Sequence, residues 1–234
     1  MARAHILRGR FQSHHTGAGD GEPNKRLPGY APIKLLRAWP LTVHKASKTF
    51  AEKAAWDFVE KEKPNFTILT INPLMVFGPV VCHSSTFSTQ TSLTLPWVNY
   101  LNSVDNLNTS NERIRDAVLG KFKDEIPYAS IHIWIDVRDV AEAHVKAMGI
   151  QEAASKRFFV TTGYFSNKEI CDIIRKNFPQ YKDLPSESTP GGDFPEGGML
   201  KVNNKRSVEV LGLKSRSLEE CVVDTIKSLQ SVGL

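Results

Sequence analysis

Two periodicities take turns along most of the chain. From Phe50 to Val59 apolar residues fall at Phe50, Ala51, Ala54, Ala55, Phe58 and Val59. That i, i+4, i+8 spacing predicts one buried face of a helix, bounded by Pro64. Residues 67–71 then read Thr, Ile, Leu, Thr, Ile, a β-branched run that predicts a strand. Asn72-Pro73 closes it with a loop, and Gly78-Pro79 turns the chain. Leu107 to Asn111 opens a further helix, with Asn108 or Ser110 as its cap and Ile114, Val118 and Leu119 as its apolar side. Ile131 to Ile135 alternates as a strand with three isoleucines on one face. Asp136 caps the next helix, on which Val137, Val140, Ala141, His144, Ala147 and Met148 recur before Gly149. His144 on that apolar face is expected to be a hydrogen-bonded core residue. Arg157 to Thr162 predicts the last strand. Ser166 with Glu169 forms a capping box for a helix lined by Ile170, Ile173 and Ile174 and stopped at Phe178-Pro179. Asn203 or Asn204 caps a short helix ending at Gly212. A second box, Ser217 with Glu220, starts a helix carrying Val222, Val223, Ile226 and Leu229, with Gly233 at its end. Strands alternating with helices predict an α/β fold with a parallel sheet.

Two stretches have no such period. Residues 1–40 are punctuated by Gly and Pro, and Gly17-Ala18-Gly19-Asp20-Gly21 lacks the strand before and helix after that a dinucleotide loop needs. His5, His14 and His15 have no spaced carboxylate or thiol to complete a metal site, so none is expected. Cys82 to Asn102 is Ser/Thr-rich and reads as loop. The domain reading is therefore a basic, disordered arm over 1–43 and an α/β domain over 44–234, with 84–102 as a disordered insert. The insert reads as a gene-model artefact or as a substrate lid.

Charge sharpens this division. The first 48 residues hold nine Lys/Arg and two Asp/Glu, an excess of +7, while the remainder sums to −2. Such an arm suits nucleic acid or an acidic partner. A solvated tail is the preferred reading, so no nucleic-acid partner is expected. No run of 18 apolar residues exists, which predicts no membrane-spanning helix. Three scattered cysteines, Cys82, Cys171 and Cys221, form no paired framework and point to free thiols in the cytoplasm.

The stretch Ser47-Lys48-Thr49-Phe50-Ala51-Glu52-Lys53-Ala54-Ala55-Trp56, followed by Asn72-Pro73 and Phe77-Gly78-Pro79, resembles the extended short-chain dehydrogenase/reductase superfamily. Asp136-Val137-Arg138-Asp139-Val140-Ala141 matches a structural hallmark of the same family. The nearest group is the fungal NADPH-dependent ketone and aldehyde reductases, akin to methylglyoxal and dihydroflavonol reductases. The resemblance covers about 45–82 and 103–234. It implies the carboxyl-terminal part of a Rossmann-type fold, with an incomplete parallel sheet and a small α/β substrate region. It also implies reduction of a small carbonyl substrate with NADPH. The family's Tyr-x-x-x-Lys pair has its Lys at Lys48, where the family uses it to lower the Tyr pKa and hold the nicotinamide ribose. His44 stands at the Tyr position. Pro73 and Val76 match the loop that contacts the nicotinamide, and Ser110 matches a residue near the cofactor phosphates. The glycine-rich βαβ unit and the catalytic Ser are not recognisable. The expectation is thus an incomplete chain, inactive alone and binding NADPH weakly if at all. A non-catalytic binding module with a basic amino-terminal arm is the alternative.

Overall fold

The computed structural model describes residues 39–80 and 107–234. They fall into two compact units: residues 39–70 with Ala154–Lys156, and residues 71–153 with Arg157–Leu234. The expected disordered insert lies outside the described residues, as does most of the basic arm.

The first unit is built on one helix, α1 (Trp39–Glu62). It starts well before Phe50, so the boundary drawn at 43/44 falls inside it. Pro40 fits there because a first-turn residue has no intrahelical partner for its N–H. At the other end Lys63 adopts φ 43° and its N–H closes onto Val59 O at 3.1 Å, a left-handed cap supplied by Lys instead of Gly. The periodic face is not buried as expected: Phe50 is 68% and Phe58 46% exposed. Spacing makes a helix amphipathic, but only a neighbour can cover its apolar side. Glu52 accepts from Trp56 Nε1 at 3.5 Å and from Thr70 Oγ1 at 3.0 Å, which ties α1 to the extended segment after it.

That segment enters β1 (Thr70–Asn72), shorter and later than the predicted 67–71 strand. Asn72 lies inside it. Thr70 N donates to Lys156 O at 3.1 Å, and Asn72 O accepts from Val160 N at 3.3 Å. These bonds bracket the pairing of β1 with β4 (Arg157–Phe159), a two-stranded sheet.

The second unit holds a three-stranded sheet. Its order is β2 (Met75–Phe77), β3 (Ile133–Asp136) and β5 (Gly163–Tyr164). β2 runs parallel to β3 with Phe77 opposite Asp136, and β5 runs antiparallel with Ile133 opposite Tyr164. Neither β2 nor β5 was expected. The predicted loop after Pro73 becomes strand within two residues. β3 does not alternate: all four residues are buried, because both of its faces are covered. Phe77, Trp134 and Phe165 form the centre, with Phe77 edge-on to Phe165 at 4.9 Å. Helices α2 (Thr109–Val118), α4 (Asn167–Asn177) and α6 (Leu218–Gln230) supply Ile114, Ile170, Ile174, Val222 and Ile226 to the same core. Leu119 falls past the end of α2 and is 54% exposed. Helices α3 (Val137–Gly149) and α5 (Lys205–Leu211) complete the unit.

The capping signals mostly hold. Ser166 and Glu169 form the full capping box. Ser217 accepts from Glu220 N, but the Glu220 carboxylate lies 3.4 Å from Arg216 Nε, so only half of the second box forms. Gly212 ends α5 in the left-handed region at φ 57°. His144 is half-buried with Nδ1 2.7 Å from Val140 O, as expected of a hydrogen-bonded structural histidine.

Candidate functional site

In an open α/β sheet ligands bind beyond the carboxyl ends of the strands. In the second unit that place is the end of β2 against the start of α2. Asn108 stands at the N-cap position in extended conformation, yet its side chain does not cap the helix. Its amide donates instead to Val76 O at 3.2 Å. One turn on, Asn111 Nδ2 donates to Gly78 O at 2.8 Å, and Gly78 N donates to Asn111 Oδ1 at 3.3 Å. Two asparagines therefore fix the first turn of α2 onto the strand end. Ser110 sits between them, half-buried, and Pro73 is half-buried at the turn from β1 to β2.

Gly78 is needed at this junction. Its φ is +134°, and a Cβ would lie 2.6 Å from Val137 Cγ1. The Phe77-Gly78-Pro79 turn can meet the start of α3 this closely only without a side chain.

Behind the junction lies an ionic support. Asp136 is fully buried, caps α3 by accepting from Arg138 N at 2.8 Å, and pairs with Arg138 Nη2 at 2.8 Å. Burial opposes the Asp136 charge, but the Arg138 hydrogen bonds outweigh it and hold the carboxyl below its usual range. Arg138 also reaches Asp224 on α6 at 2.7 Å. Asp139, one residue on, accepts from the backbone and guanidinium of Arg216. The Asp136-Val137-Arg138-Asp139 stretch thus stitches α3 to α6 and does not face chemistry. Burial pushes the Cys171 thiol up to about 12, and burial with Asp136 raises Cys221 further, so neither is a nucleophile. Among the described residues no group of three or more His, Cys, Asp or Glu is placed to hold a metal.

Lys48 and His44 belong to the other unit. Both lie on α1, one helical turn apart, and Lys48 is exposed. Val76 and Ser110 are brought together around Asn108, with Pro73 three residues upstream. Sequence reading missed Asn111 altogether. An asparagine inside the first turn was the only available signal, and it does not reveal that its amide serves a strand end 33 residues back.

No protein-family model matches the chain. In fold and sequence it is nonetheless similar to Rossmann-type reductases of the extended short-chain dehydrogenase/reductase class, over an incomplete sheet. Within that class it is similar to the NADPH-dependent ketone and aldehyde reductases. It is 43% identical to the ketoreductase azaE of Aspergillus niger over 192 residues, covering 81% of this chain and 51% of that one. It is 35% identical to a methylglyoxal reductase of Candida albicans described as putative and NADPH-dependent, covering 81% and 51%. The crystal structure of yeast methylglyoxal/isovaleraldehyde reductase Gre2 with NADPH superposes with a TM-score of 0.68 at 30% identity, covering 86% of this chain and 54% of that one. The chain spans about half the length of the curated relatives it matches.

Proposed function

We propose that this chain supplies one half of an NADPH-dependent reductase of small aldehydes and ketones. The observation that carries the reading is the asparagine-held junction of β2 and α2. It leaves the first-turn N–H groups of α2 without a side-chain cap, on a chain related to NADPH-dependent reductases. Uncapped N–H groups at a helix start favour an anion, which suits Ser110 and its neighbours to a cofactor phosphate. Pro73 and Val76 present backbone at the same strand end to the nicotinamide. Lys48 carries an exposed ammonium suited to ribose hydroxyls and to stabilising a deprotonated donor one turn away. His44 occupies that donor position, where an imidazole reaches less far than a phenol and is the weaker proton donor to the carbonyl oxygen. Bound NADPH would supply the hydride. A cytoplasmic location goes with this reading: Cys171 and Cys221 are free thiols, and among the described residues no helix is long and apolar enough to cross a membrane.

The test is a single-chain fusion. The part of the Aspergillus niger ketoreductase that this chain does not match is joined ahead of residue 44. NADPH oxidation with small aldehydes is expected from the fusion, and weak NADPH binding without turnover from the unfused chain. His44→Tyr should raise turnover about 10²–10⁴-fold, the usual worth of a well-placed general acid. Lys48→Ala should remove that gain. An inert fusion overturns the reading. If His44→Tyr changes nothing while Lys48→Ala abolishes activity, the proton donor is elsewhere.

A further inference from the structure

A buried histidine precedes β3. His132 is 7% exposed, and its carbonyl accepts from Phe165 N at 2.8 Å. His132 Nδ1 lies 3.0 Å from Phe165 O. A carbonyl can only accept, so Nδ1 carries the proton of that bond. In the neutral ring Nε2 is then an acceptor. It is buried and has no hydrogen-bond partner among the described residues. Asn167, 1% exposed, repeats the pattern: Nδ2 donates to Pro127 O at 2.6 Å, and Oδ1 is buried without a partner. Buried acceptors are normally paired, and these two call for a donor.

Aromatic rings surround the histidine. Tyr128 stands edge-on at 5.3 Å between centroids, Phe194 at 5.5 Å and Phe165 at 6.2 Å. Phe165 is fully buried behind it, whereas Tyr128 is 60% and Phe194 38% exposed. The loops that carry the two outer rings are fastened together. Ile126 N donates to Pro190 O at 3.0 Å, and Lys168 N donates to Gly192 O at 3.2 Å. Gly191 and Gly192 press on Ile126 so closely that a Cβ on either would collide with it. β2 and β3 run parallel with Met75 opposite Trp134. Two residues before each, Pro73 and His132 stand at the same end of the sheet. The aromatic cluster thus lies at the end where the proposed nicotinamide loop enters β2.

We propose that His132, Tyr128 and Phe194 form a binding site for a hydroxyaryl group. Its hydroxyl donates to His132 Nε2, and its ring packs against Tyr128 and Phe194. Ligand sites combine apolar walls with a few placed polar atoms, and this cluster has that composition. Both outer rings are partly exposed, and a rotamer change of Phe194 opens Nε2 to the ligand. An aryl hydroxyl suits the site because it joins a donor to a flat apolar body, which offset or edge-on packing against the rings accommodates. An alkylammonium would also donate, but it lacks that flat surface. Resting on the reading of the chain as half a reductase, the site makes hydroxyaryl aldehydes and ketones the substrate class.

The test titrates the full chain with 4-hydroxyacetophenone, 4-methoxyacetophenone and butylammonium by calorimetry. The hydroxy compound is expected to bind about tenfold more tightly than the methoxy compound, the worth of one net hydrogen bond. His132→Asn keeps a donor near Phe165 O and removes the Nε2 acceptor, so it should abolish that preference. Phe194→Ala, at a partly exposed loop position, should weaken both aryl compounds about fivefold and keep the preference. Should His132→Asn fail to fold, nitrogen NMR of the unaltered chain reads the same point: the His132 Nε2 resonance should move with the hydroxy compound and not with the methoxy one. Equal affinity for the two aryl compounds overturns the inference, as does preferred binding of butylammonium or no binding at all. An active single-chain fusion with no hydroxyaryl binding sinks this site alone. Hydroxyaryl binding with an inert fusion keeps the site and sinks the reductase reading.

Discussion

Asn111 holds Gly78 by both of its backbone polar groups, accepting from its N–H and donating to its carbonyl, with 4% of Asn111 exposed. Only an amide side chain can do both at once. Asn111→Ala is expected to cost about 1–3 kcal/mol by leaving buried backbone groups unpaired. Asn111→Asp should be worse than Ala, because a carboxylate oxygen would face the Gly78 carbonyl and a charge would be buried. Urea unfolding midpoints of the two variants check the order. Equal or better stability for Asp would show that the pair is not the clamp described.

Gly78 tests the other side of the junction. Gly78→Ala places a Cβ against Val137 Cγ1 and asks an L-residue to hold φ +134°. The backbone strain alone is expected to cost about 1–3 kcal/mol. Val137→Ala removes the clashing methyl, so the double variant should recover the overpacking part and not the strain. A double-mutant cycle on thermal midpoints reads this. Complete recovery would mean that the glycine is there for space alone.

How much of this was legible in the sequence depends on the range of each interaction. Asp136, Ser166 and Gly212 act on their own helix within a few residues, and their side-chain types announce them. β2 and β5 have three and two residues, too few for any period to register. They are strands because β3 lies beside them. The extent of α1 was underread because Pro40 reads as punctuation, although a proline fits the first turn of a helix. Lys48 and His44 were legible as a four-residue spacing. The contact of Asn108 with Val76 was not, since an asparagine before a helix reads as a cap and nothing local says that its amide turns back to a strand.

Arg216 and Asp139 are 77 residues apart in sequence and make an asymmetric pair. The Asp139 side chain is 1% exposed and that of Arg216 is 31% exposed. Arg216→Ala strands a buried carboxylate and should cost about 3 kcal/mol, near the low end for a broken buried pair because the backbone N–H of residue 216 still donates. Asp139→Asn keeps an acceptor and lets Arg216 turn to solvent, so it should cost about 1.5 kcal/mol. Denaturant titration of both variants gives the comparison. A larger loss for Asp139→Asn would contradict the burial asymmetry.

Acid sensitivity should trace to Asp136. Burial works against its charge, yet the Arg138 hydrogen bonds keep its folded pKa below the ordinary value. A depressed carboxyl contributes stability that is fully present above its unfolded pKa of about 3.9, and that is lost as pH falls through the folded value. The urea midpoint is therefore expected to stay level from pH 7 to about 5 and to drop below about 4. Asp136→Asn cannot titrate. It should lower stability at neutral pH, since the paired Arg138 loses its anion, and it should flatten the acid limb. Asp116 and Glu142 are also held low by Lys and Arg neighbours, but both are more exposed, so they should leave only a shallow residual slope. If Asp136→Asn retains the full acid slope of the parent chain, another carboxylate carries the transition and the buried Asp136–Arg138 pair is not its source.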